Sequence, residues 1–187
     1  MKLILGSGSP RRKELLAGLG FEFEVRTKDT DESFSNELLI EEVPTYLAKK
    51  KALALLPDLK ENELVICADT VVILNNEILG KPESKEQAVE MLQTLSNQQH
   101  IVITGVCILN NQIESVFSDR TEVTFGTLTN EEIEHYIENY KPFDKAGSYG
   151  VQEWLGYAKV SHMNGTYTNV MGFPTNKVYA VLKEILS

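Results

Sequence analysis

The sequence predicts an α/β fold built on a mixed β-sheet, and three observations favour it. Strand-like and helix-like segments alternate along all 187 residues. Two pairs of strand-like segments are joined by Asn-rich turns, which is typical of antiparallel hairpins. Other strand-like segments are separated by amphipathic helices, which is typical of parallel crossovers. Both kinds of connection in one chain indicate a sheet with parallel and antiparallel pairs.

The first half opens with a short strand, "KLIL", followed by a helix that Ser9 caps, Pro10 starts and Gly20 ends. "FEFEV" alternates like a strand, and residues 27–36 form a polar, acidic loop. A second helix is predicted from about Pro44 to Leu56. "ELVICADTVVIL" is a long buried strand that turns at "NNE" into a short return strand.

The second half contains two capping-box patterns, each ahead of an amphipathic helix: Ser84 with Gln87, and Thr129 with Glu132. Between them, "IVITGVCIL" and "IESVF" are predicted to form a hairpin. A further hairpin is predicted about Asn164-Gly165, before a C-terminal helix. We predict a single domain over residues 1–187, with a smaller lobe around residues 120–150.

Composition and charge argue against several classes of function. The formal net charge is -9, so bulk electrostatics disfavours binding to nucleic acid or to an anionic membrane surface. No apolar run has the length of a membrane span, and "MKLILGSGS" does not resemble a signal peptide. Cys67 and Cys107 each lie in an apolar run, which favours buried, reduced thiols over a disulfide. We therefore expect a cytoplasmic protein whose partner is a small phosphorylated metabolite.

The stretch "SGSPRRKELL" predicts an anion-binding helix start. Arg11 and Arg12 follow a Gly-Ser-Pro turn in the first helical turn, where the positive end of the helix dipole repels cations. Two arginines there are favourable when an anion is bound between them and the helix end. Ser7 lies in the same turn.

Asp69 is a carboxylate within an apolar strand, so it must be paired, ligated or hydrogen-bonded to backbone amides at a bulge. Lys51 lies four residues after Leu47, beside the apolar stripe of its helix, and either reaches a pocket or snorkels to the surface. Lys81, in "LGKPE", is predicted to return towards the Asp69 end of the strand. Taken alone, a turn lysine is usually a solvated charge.

Together these residues predict a metal-dependent hydrolase of phosphoanhydrides. Cations hold phosphates, while carboxylates such as Asp69 and Glu32, in the acidic loop, bind a divalent metal and deprotonate water. The chain contains no P-loop, no nucleophile elbow and no zinc-like spacing of histidines.

Six segments resemble the signature segments of the Maf family of nucleoside triphosphate pyrophosphatases, in the family's order: "SGSPRRKELL", "ADTVV", "GKP", "TGV", "DKAGSYGVQ" and "NVMGFP". The resemblance implies hydrolysis between the α and β phosphates with a divalent metal cation, Mg or Mn. It implies that Asp69 is the proton acceptor. The implied phosphate- and metal-handling residues are Ser7, Arg12, Glu32, Lys51 and Lys81, with Asp69 and Glu32 on the metal.

The resemblance also favours the branch that acts on dTTP and UTP, because Arg11, Thr70 and Gln152 are the residue types of that branch. Modified pyrimidine triphosphates stay open as further substrates. The Gln152 amide suits the O4 and N3–H edge of uracil or thymine. These residues argue against a purine enzyme of the inosine triphosphate type. Gly6 stands where alanine is more familiar in the family, and Trp154 varies the stretch after "YGVQ".

The implied fold is an elongated mixed sheet flanked by helices, like that of inosine triphosphate pyrophosphatases, with two lobes and a nucleotide-binding cleft. A homodimer is implied as well. A different class of function stays open: a nucleotide-binding regulator of septum formation and cell division, without significant turnover. Pyrophosphate release by the purified protein distinguishes the two.

Overall fold

The computed structural model describes residues 1–186 and confirms a mixed α/β fold. The strands are β1 (Lys2–Leu5), β2 (Phe23–Val25), β3 (Glu63–Leu74), β4 (Glu77–Leu79), β5 (Gln99–Leu109), β6 (Glu114–Phe125) and β7 (Val160–Asn164). The helices are α1 (Pro10–Gly18), α2 (Val43–Leu55), α3 (Lys85–Leu95), α4 (Asn130–Tyr140), α5 (Trp154–Lys159), α6 (Tyr167–Val170) and α7 (Thr175–Leu186). No helix within residues 1–186 combines the length and apolar character needed to cross a membrane.

The strands form one seven-stranded sheet in the order β2-β1-β3-β5-β6-β7, and β4 pairs with β3. β1 runs parallel to β2 and to β3, with Leu5 opposite Ile66. β4 is antiparallel to β3, and β7 is antiparallel to β6. The predicted mixture of parallel and antiparallel pairs is therefore confirmed.

The chain divides into two compact units. The first unit contains Met1–Thr70, Thr104–Asp119 and the chain from Gly172, and the second contains Val71–Ile103 and Arg120–Met171. The residues around 120–150, which the sequence assigns to a smaller lobe, all belong to the second unit.

The first unit has two apolar clusters, one on each face of its strands. On one face, β1 and β3 pack against Leu16 of α1 and against Val178 and Leu182 of α7. On the other face they pack against Ala48, Ala52 and Leu55 of α2. Because side chains alternate along a strand, consecutive residues of β3 face different helices. The two cysteines are free and buried in the second cluster, as predicted.

The second unit has one apolar cluster that joins α3 and α4 to its strand segments. The Thr129 capping box is confirmed, because the Thr129 side chain accepts from Glu132 N and the Glu132 carboxylate accepts from Thr129 N. At α3 only half of the predicted box is present. Ser84 caps Gln87 N, whereas the Gln87 side chain accepts from Glu83 N at 2.7 Å.

The hairpin predicted about Asn164-Gly165 is wrong. β7 ends at Asn164, and the chain continues into α6 instead of a return strand. Gly165 has φ 135 and lies so close to β6 that a Cβ atom would be 2.5 Å from Thr121 Oγ1. Thr166 N then donates to Thr121 Oγ1 at 3.1 Å. This side-chain bond to β6 takes the place of a hairpin ladder.

Candidate active site

Alternation along β3 sends two neighbouring site residues to different helices. Val65 and Cys67 belong to the cluster that includes α2, and Asp69 follows in the same alternation. Ile66 and Ala68 belong to the cluster that includes α1, and Thr70 follows them. Asp69 accordingly contacts Lys51 of α2, while Thr70 contacts Arg12 of α1.

Lys51 joins two carboxylates. Its ammonium donates a hydrogen bond to Asp69 Oδ1 and lies 2.7 Å from Glu32 Oε1. The Asp69 side chain is 13% exposed and that of Lys51 is 19% exposed, whereas Glu32 is 53% exposed. Lys51 therefore reaches a carboxylate in a mostly buried position and does not snorkel to the surface.

The charge state of Lys51 is set by this environment. Burial acts to lower the pKa of Lys51, but the Asp69 and Glu32 carboxylates outweigh burial and raise it above its ordinary value. The ammonium is therefore charged at neutral pH and is in direct contact with the Asp69 side chain. A mostly buried carboxylate of this kind can act as a general base toward water.

Arg12 is held by neutral oxygen atoms. Nε donates to the Gly172 carbonyl at 2.8 Å, one terminal nitrogen donates to Ser7 Oγ at 3.3 Å, and the other donates to Thr70 Oγ1 at 3.1 Å. Thr70 Oγ1 is also 2.9 Å from the hydroxyl of Thr104, which is fully buried. These three hydrogen bonds fix the guanidinium near the start of α1. The sequence predicts an anion-binding site at this helix start.

Burial lowers the pKa of Arg12, and the positive charge of Arg11 lowers it too, while the Asp69 charge raises it. A desolvated guanidinium whose acceptors are neutral keeps its charge available for an anion. Ser9 caps α1 by accepting from Arg12 N, which orders the helix start that carries both arginines. This arrangement suits phosphate oxygens.

Glu32 and Asp69, the two carboxylates that contact Lys51, also suit a divalent cation. An ammonium that contacts both Glu32 and Asp69 shows that these carboxylates favour a positive charge at this position. Residues 1–186 contain no group of three or more His, Cys, Asp or Glu side chains arranged to hold a metal. A cation bound here would therefore need further oxygen ligands, such as phosphate or water.

The other two predicted site residues, Lys81 and Gln152, belong to the second unit. Lys81 is exposed and follows Gly80, whose carbonyl accepts from Gly147 N at 3.0 Å. Among residues 1–186, no carboxylate forms an ion pair with Lys81. Gln152 is partly exposed, but its Oε1 atom is buried and has no hydrogen-bond partner within the same residues.

The first unit thus contains seven of the nine predicted site residues: Ser7, Arg11, Arg12, Glu32, Lys51, Asp69 and Thr70. Sequence reasoning missed Thr104, although it lies in the quoted "TGV" segment, because a buried threonine has no signal of its own. It also missed the bonds of Tyr136, Lys145 and Glu153, which are described below.

Gly6 has a local explanation. A Cβ atom at this position would lie 2.3 Å from Cys67 Sγ and 2.8 Å from a methyl carbon of Leu55. The Cys67 thiol donates to the Gly6 carbonyl at 3.5 Å. Glycine at position 6 therefore leaves room for the Cys67 side chain. Cys67 lies two residues before Asp69 on β3.

Comparison with known proteins finds a family model and relatives that each match nearly the whole chain. The family model described as "Maf-like protein" matches residues 2–185. A protein of Flavobacterium psychrophilum named dTTP/UTP pyrophosphatase is 52% identical over 181 residues, covering 97% of this chain and 93% of the relative. A protein of Bacteroides thetaiotaomicron with the same name is 46% identical over 185 residues, covering 98% of this chain and 96% of the relative.

The fold is also similar to a solved structure. The Staphylococcus aureus Ham1 protein superposes with a TM-score of 0.50, covering 67% of this chain and 72% of that one. The two sequences are 17% identical, so the similarity concerns the fold alone.

Proposed function

Because the chain belongs to the Maf-like protein family, we propose that it is a nucleoside triphosphate pyrophosphatase that hydrolyses dTTP and UTP. The products are the nucleoside monophosphate and pyrophosphate, released when water attacks and the bond between the α and β phosphates breaks. The names of relatives that match nearly the whole chain support this substrate choice. The observation that carries the chemistry is the mostly buried Asp69 carboxylate on the charged ammonium of Lys51.

We assign to Asp69 the removal of a proton from the attacking water. A general base must be ionised before the reaction and must hold the proton afterwards. Asp69 is in contact with the Lys51 ammonium, and the partial burial of Asp69 limits the competition from bulk water for its oxygen atoms. Glu32, which is more exposed, shares the Lys51 contact and is assigned to charge balance and metal binding.

We assign the cationic residues to the triphosphate. Arg12 is partly buried and already oriented by Ser7, Thr70 and the Gly172 carbonyl, so it is ready to bind phosphate oxygens without rearranging. Arg11, Lys51 and Lys81 add positive charge. A triphosphate that carries several negative charges needs such compensation before a further anionic transition state can form.

Asp69 and Glu32 would hold a divalent cation, Mg or Mn, together with phosphate oxygens of the substrate. When bound, this cation would act as a Lewis acid and offset charge on the phosphates. The proposal also includes a homodimeric, cytoplasmic enzyme, as the family resemblance implies. Base recognition is assigned to Gln152, whose amide can both donate and accept hydrogen bonds.

The experiment is a pyrophosphate-release assay on the purified chain, with Mg²⁺ and with Mn²⁺ in separate series. We expect release from dTTP and UTP and much slower release from CTP, ITP and 7-methyl-GTP. Tight nucleotide binding with no product from any of these would contradict the enzyme and favour a nucleotide-binding regulator. A preference for ITP or 7-methyl-GTP would contradict the pyrimidine assignment.

A further inference from the structure

A single threonine interrupts the buried apolar run of β5. Thr104 is fully buried, and Val106 and Ile108, the next two residues on the same face of the strand, are buried hydrophobic residues. A valine at position 104 would have nearly the same shape and no hydroxyl. Burying this hydroxyl is therefore unfavourable unless its hydrogen bonds offset the cost.

Thr104 lies on the face of the sheet that carries α1. Val106 belongs to the apolar cluster of α1 and α7, and Thr104 precedes it in the same alternation along β5. On the neighbouring strand β3, Thr70 follows Ala68 of that cluster in the same way. The two threonines therefore meet on one face of the sheet, where their hydroxyl oxygens are 2.9 Å apart.

The backbone beside Thr104 is held from the opposite face. A Cβ atom on Gly105 would lie 2.3 Å from the backbone of both Pro44 and Thr45 in α2, so glycine allows this helix to approach β5 closely. Thr104 is also β-branched, which restricts rotation about its χ1 angle. Its hydroxyl is therefore presented to β3 from a fixed position.

Thr70 links this fixed hydroxyl to Arg12. A guanidinium only donates hydrogen bonds, so Arg12 donates to Thr70 Oγ1 at 3.1 Å and the hydroxyl hydrogen of Thr70 must point elsewhere. Thr104 Oγ1 is in position to accept that hydrogen. With the hydrogen directed at Thr104, the lone pairs of Thr70 face Arg12.

The other two acceptors of Arg12 are held in different ways. The Gly172 carbonyl, 2.8 Å from Nε, belongs to the backbone, and Ser7, whose Oγ is 3.3 Å from a terminal nitrogen, is almost fully buried before α1. Thr70 is the remaining acceptor, and its hydroxyl is restrained by Thr104. All five residues belong to the first unit.

We infer that Thr104 is a positioning residue that holds Arg12, through Thr70, in the orientation that binds phosphate oxygens. The inference rests on the proposed function and adds a residue with no exposed surface for contact with the substrate. Asp69 alternates with Thr70 along β3 and contacts Lys51 instead. The role of Thr104 therefore concerns phosphate binding, and proton removal by Asp69 does not depend on it.

The test compares two substitutions that remove different parts of the Thr104 side chain. Thr104→Val removes the hydroxyl and keeps the shape, whereas Thr104→Ser keeps the hydroxyl and removes a methyl group. For Thr104→Val we expect the KM for UTP to rise about tenfold, with kcat changed by less than about threefold. For Thr104→Ser we expect a KM within about threefold of the wild-type value, although the lost methyl group lowers the Tm.

Val106→Ala is the matched control for a general loosening of β5. Val106 is fully buried on the same face, two residues further along the strand. Its truncation should lower the Tm and leave the KM for UTP unchanged. Thermal unfolding establishes that each variant is folded at the assay temperature.

A double-mutant cycle tests whether Thr104 acts through Thr70. If it does, the variant that combines Thr104→Val with Thr70→Val should have the same KM for UTP as Thr70→Val alone. Effects of the two substitutions that multiply independently would contradict this route. A folded Thr104→Val with the wild-type KM would contradict the positioning role altogether, as would an equal rise in KM in Val106→Ala or in Thr104→Ser.

A wild-type chain that releases no pyrophosphate from UTP contradicts the proposed function instead. Calorimetric titration with inorganic pyrophosphate and Mg²⁺ then decides the role of Thr104 without turnover. An affinity about tenfold weaker in Thr104→Val than in the wild type and Thr104→Ser supports the positioning role, and equal affinities contradict it. No measurable binding of pyrophosphate by the wild type would contradict both proposals.

Discussion

The two units each place one lysine between two carboxylates. In the first unit Lys51 contacts Asp69, which is 13% exposed, and Glu32, which is 53% exposed. In the second unit Lys145 contacts Glu153, which is 19% exposed, and Asp144, which is 57% exposed. Each cluster therefore combines a mostly buried carboxylate with an exposed one.

The clusters differ in how the more buried carboxylate is bonded. Both oxygens of Glu153 have a partner, since Tyr136 donates to one and Lys145 contacts the other. The bonds to Asp69 within residues 1–186 all involve Oδ1. A carboxylate saturated by protein donors stabilises structure, whereas one bonded on a single oxygen keeps the other for water or a metal. The comparison therefore assigns chemistry to the first cluster and a structural role to the second.

Replacing Asp69 by Asn is expected to have the largest effect. We expect turnover on UTP to fall by about 10³-fold or more, because the amide cannot accept a proton. Nucleotide affinity should change by less than about tenfold, since the arginines and lysines remain. Pyrophosphate release and calorimetric titration measure the two quantities.

The control for Asp69→Asn is Asp58→Asn. Asp58 is an exposed carboxylate in the first unit that pairs with Lys28 at 2.8 Å, and its replacement should leave turnover unchanged. If Asp69→Asn turned over UTP as fast as the wild type, Asp69 would not be the general base. The proposed difference between the two lysine clusters would then be wrong.

Replacing Lys51 or Lys145 by Met distinguishes a cluster that binds a metal cation from one that stabilises structure. Lys145→Met should lower the free energy of unfolding by about 3 kcal/mol, because the mostly buried Glu153 carboxylate loses its charged partner. Lys51→Met also leaves two carboxylates without their cation. There, however, we expect Mn²⁺ to replace the ammonium and to restore part of the lost stability.

The measurement is thermal unfolding of both variants and of the wild type, with and without Mn²⁺ and without nucleotide. Mn²⁺ should raise the Tm of Lys51→Met by several degrees and leave Lys145→Met unchanged. The wild type should respond less than Lys51→Met, since its ammonium competes for the same oxygens. An equal response of the two variants would contradict the assignment of metal to Asp69 and Glu32.

Much of the first unit could be predicted from the sequence, since its signals are local. The nearly continuous apolar segment "ELVICADTVVIL" predicts β3 from Glu63 to Leu74, and that strand is confirmed, with Val71–Leu74 belonging to the second unit. Ser9 and Pro10 predict the start of α1, which is confirmed too. A charged residue inside an apolar strand is costly to bury without a partner, so the sequence predicts a special role for Asp69.

The second unit was harder to predict, because its bonds join residues that are far apart in sequence and ordinary in type. The pattern after Thr129 predicts an amphipathic helix, and nothing in it indicates that the Tyr136 hydroxyl accepts from Gly150 N. Taken by itself, the glycine-rich segment "DKAGSYGVQEW" predicts only a loose loop. The hairpin about Asn164-Gly165 failed for a related reason, since a bond to Thr121 on β6 decides the path of the chain.

The smallest expected effect concerns acid stability and again separates the units. In the second unit, burial lowers the pKa of His100 to about 4, and Nε2 is 2.7 Å from the Tyr149 hydroxyl. In the first unit, bonds from Arg26 lower the pKa of Glu63 to about 2. His100 is neutral when folded but binds a proton when unfolded below its ordinary pKa of about 6.5. Its contribution to stability is therefore lost as the pH falls from about 6.5 to about 4, whereas that of Glu63 is lost only from about 4.5 down to about 2.

We therefore expect the free energy of unfolding to fall by about 2 kcal/mol between roughly pH 7 and pH 5, with His100 as the cause. His100→Phe should remove most of this slope, because Phe cannot bind a proton in the unfolded chain. His162→Gln is the control, since His162 is exposed and should leave the slope unchanged. Urea unfolding at several pH values measures the slope for all three proteins. If the slope persists in His100→Phe, another group causes the loss of stability in acid. The two units would then not differ in acid stability because of His100.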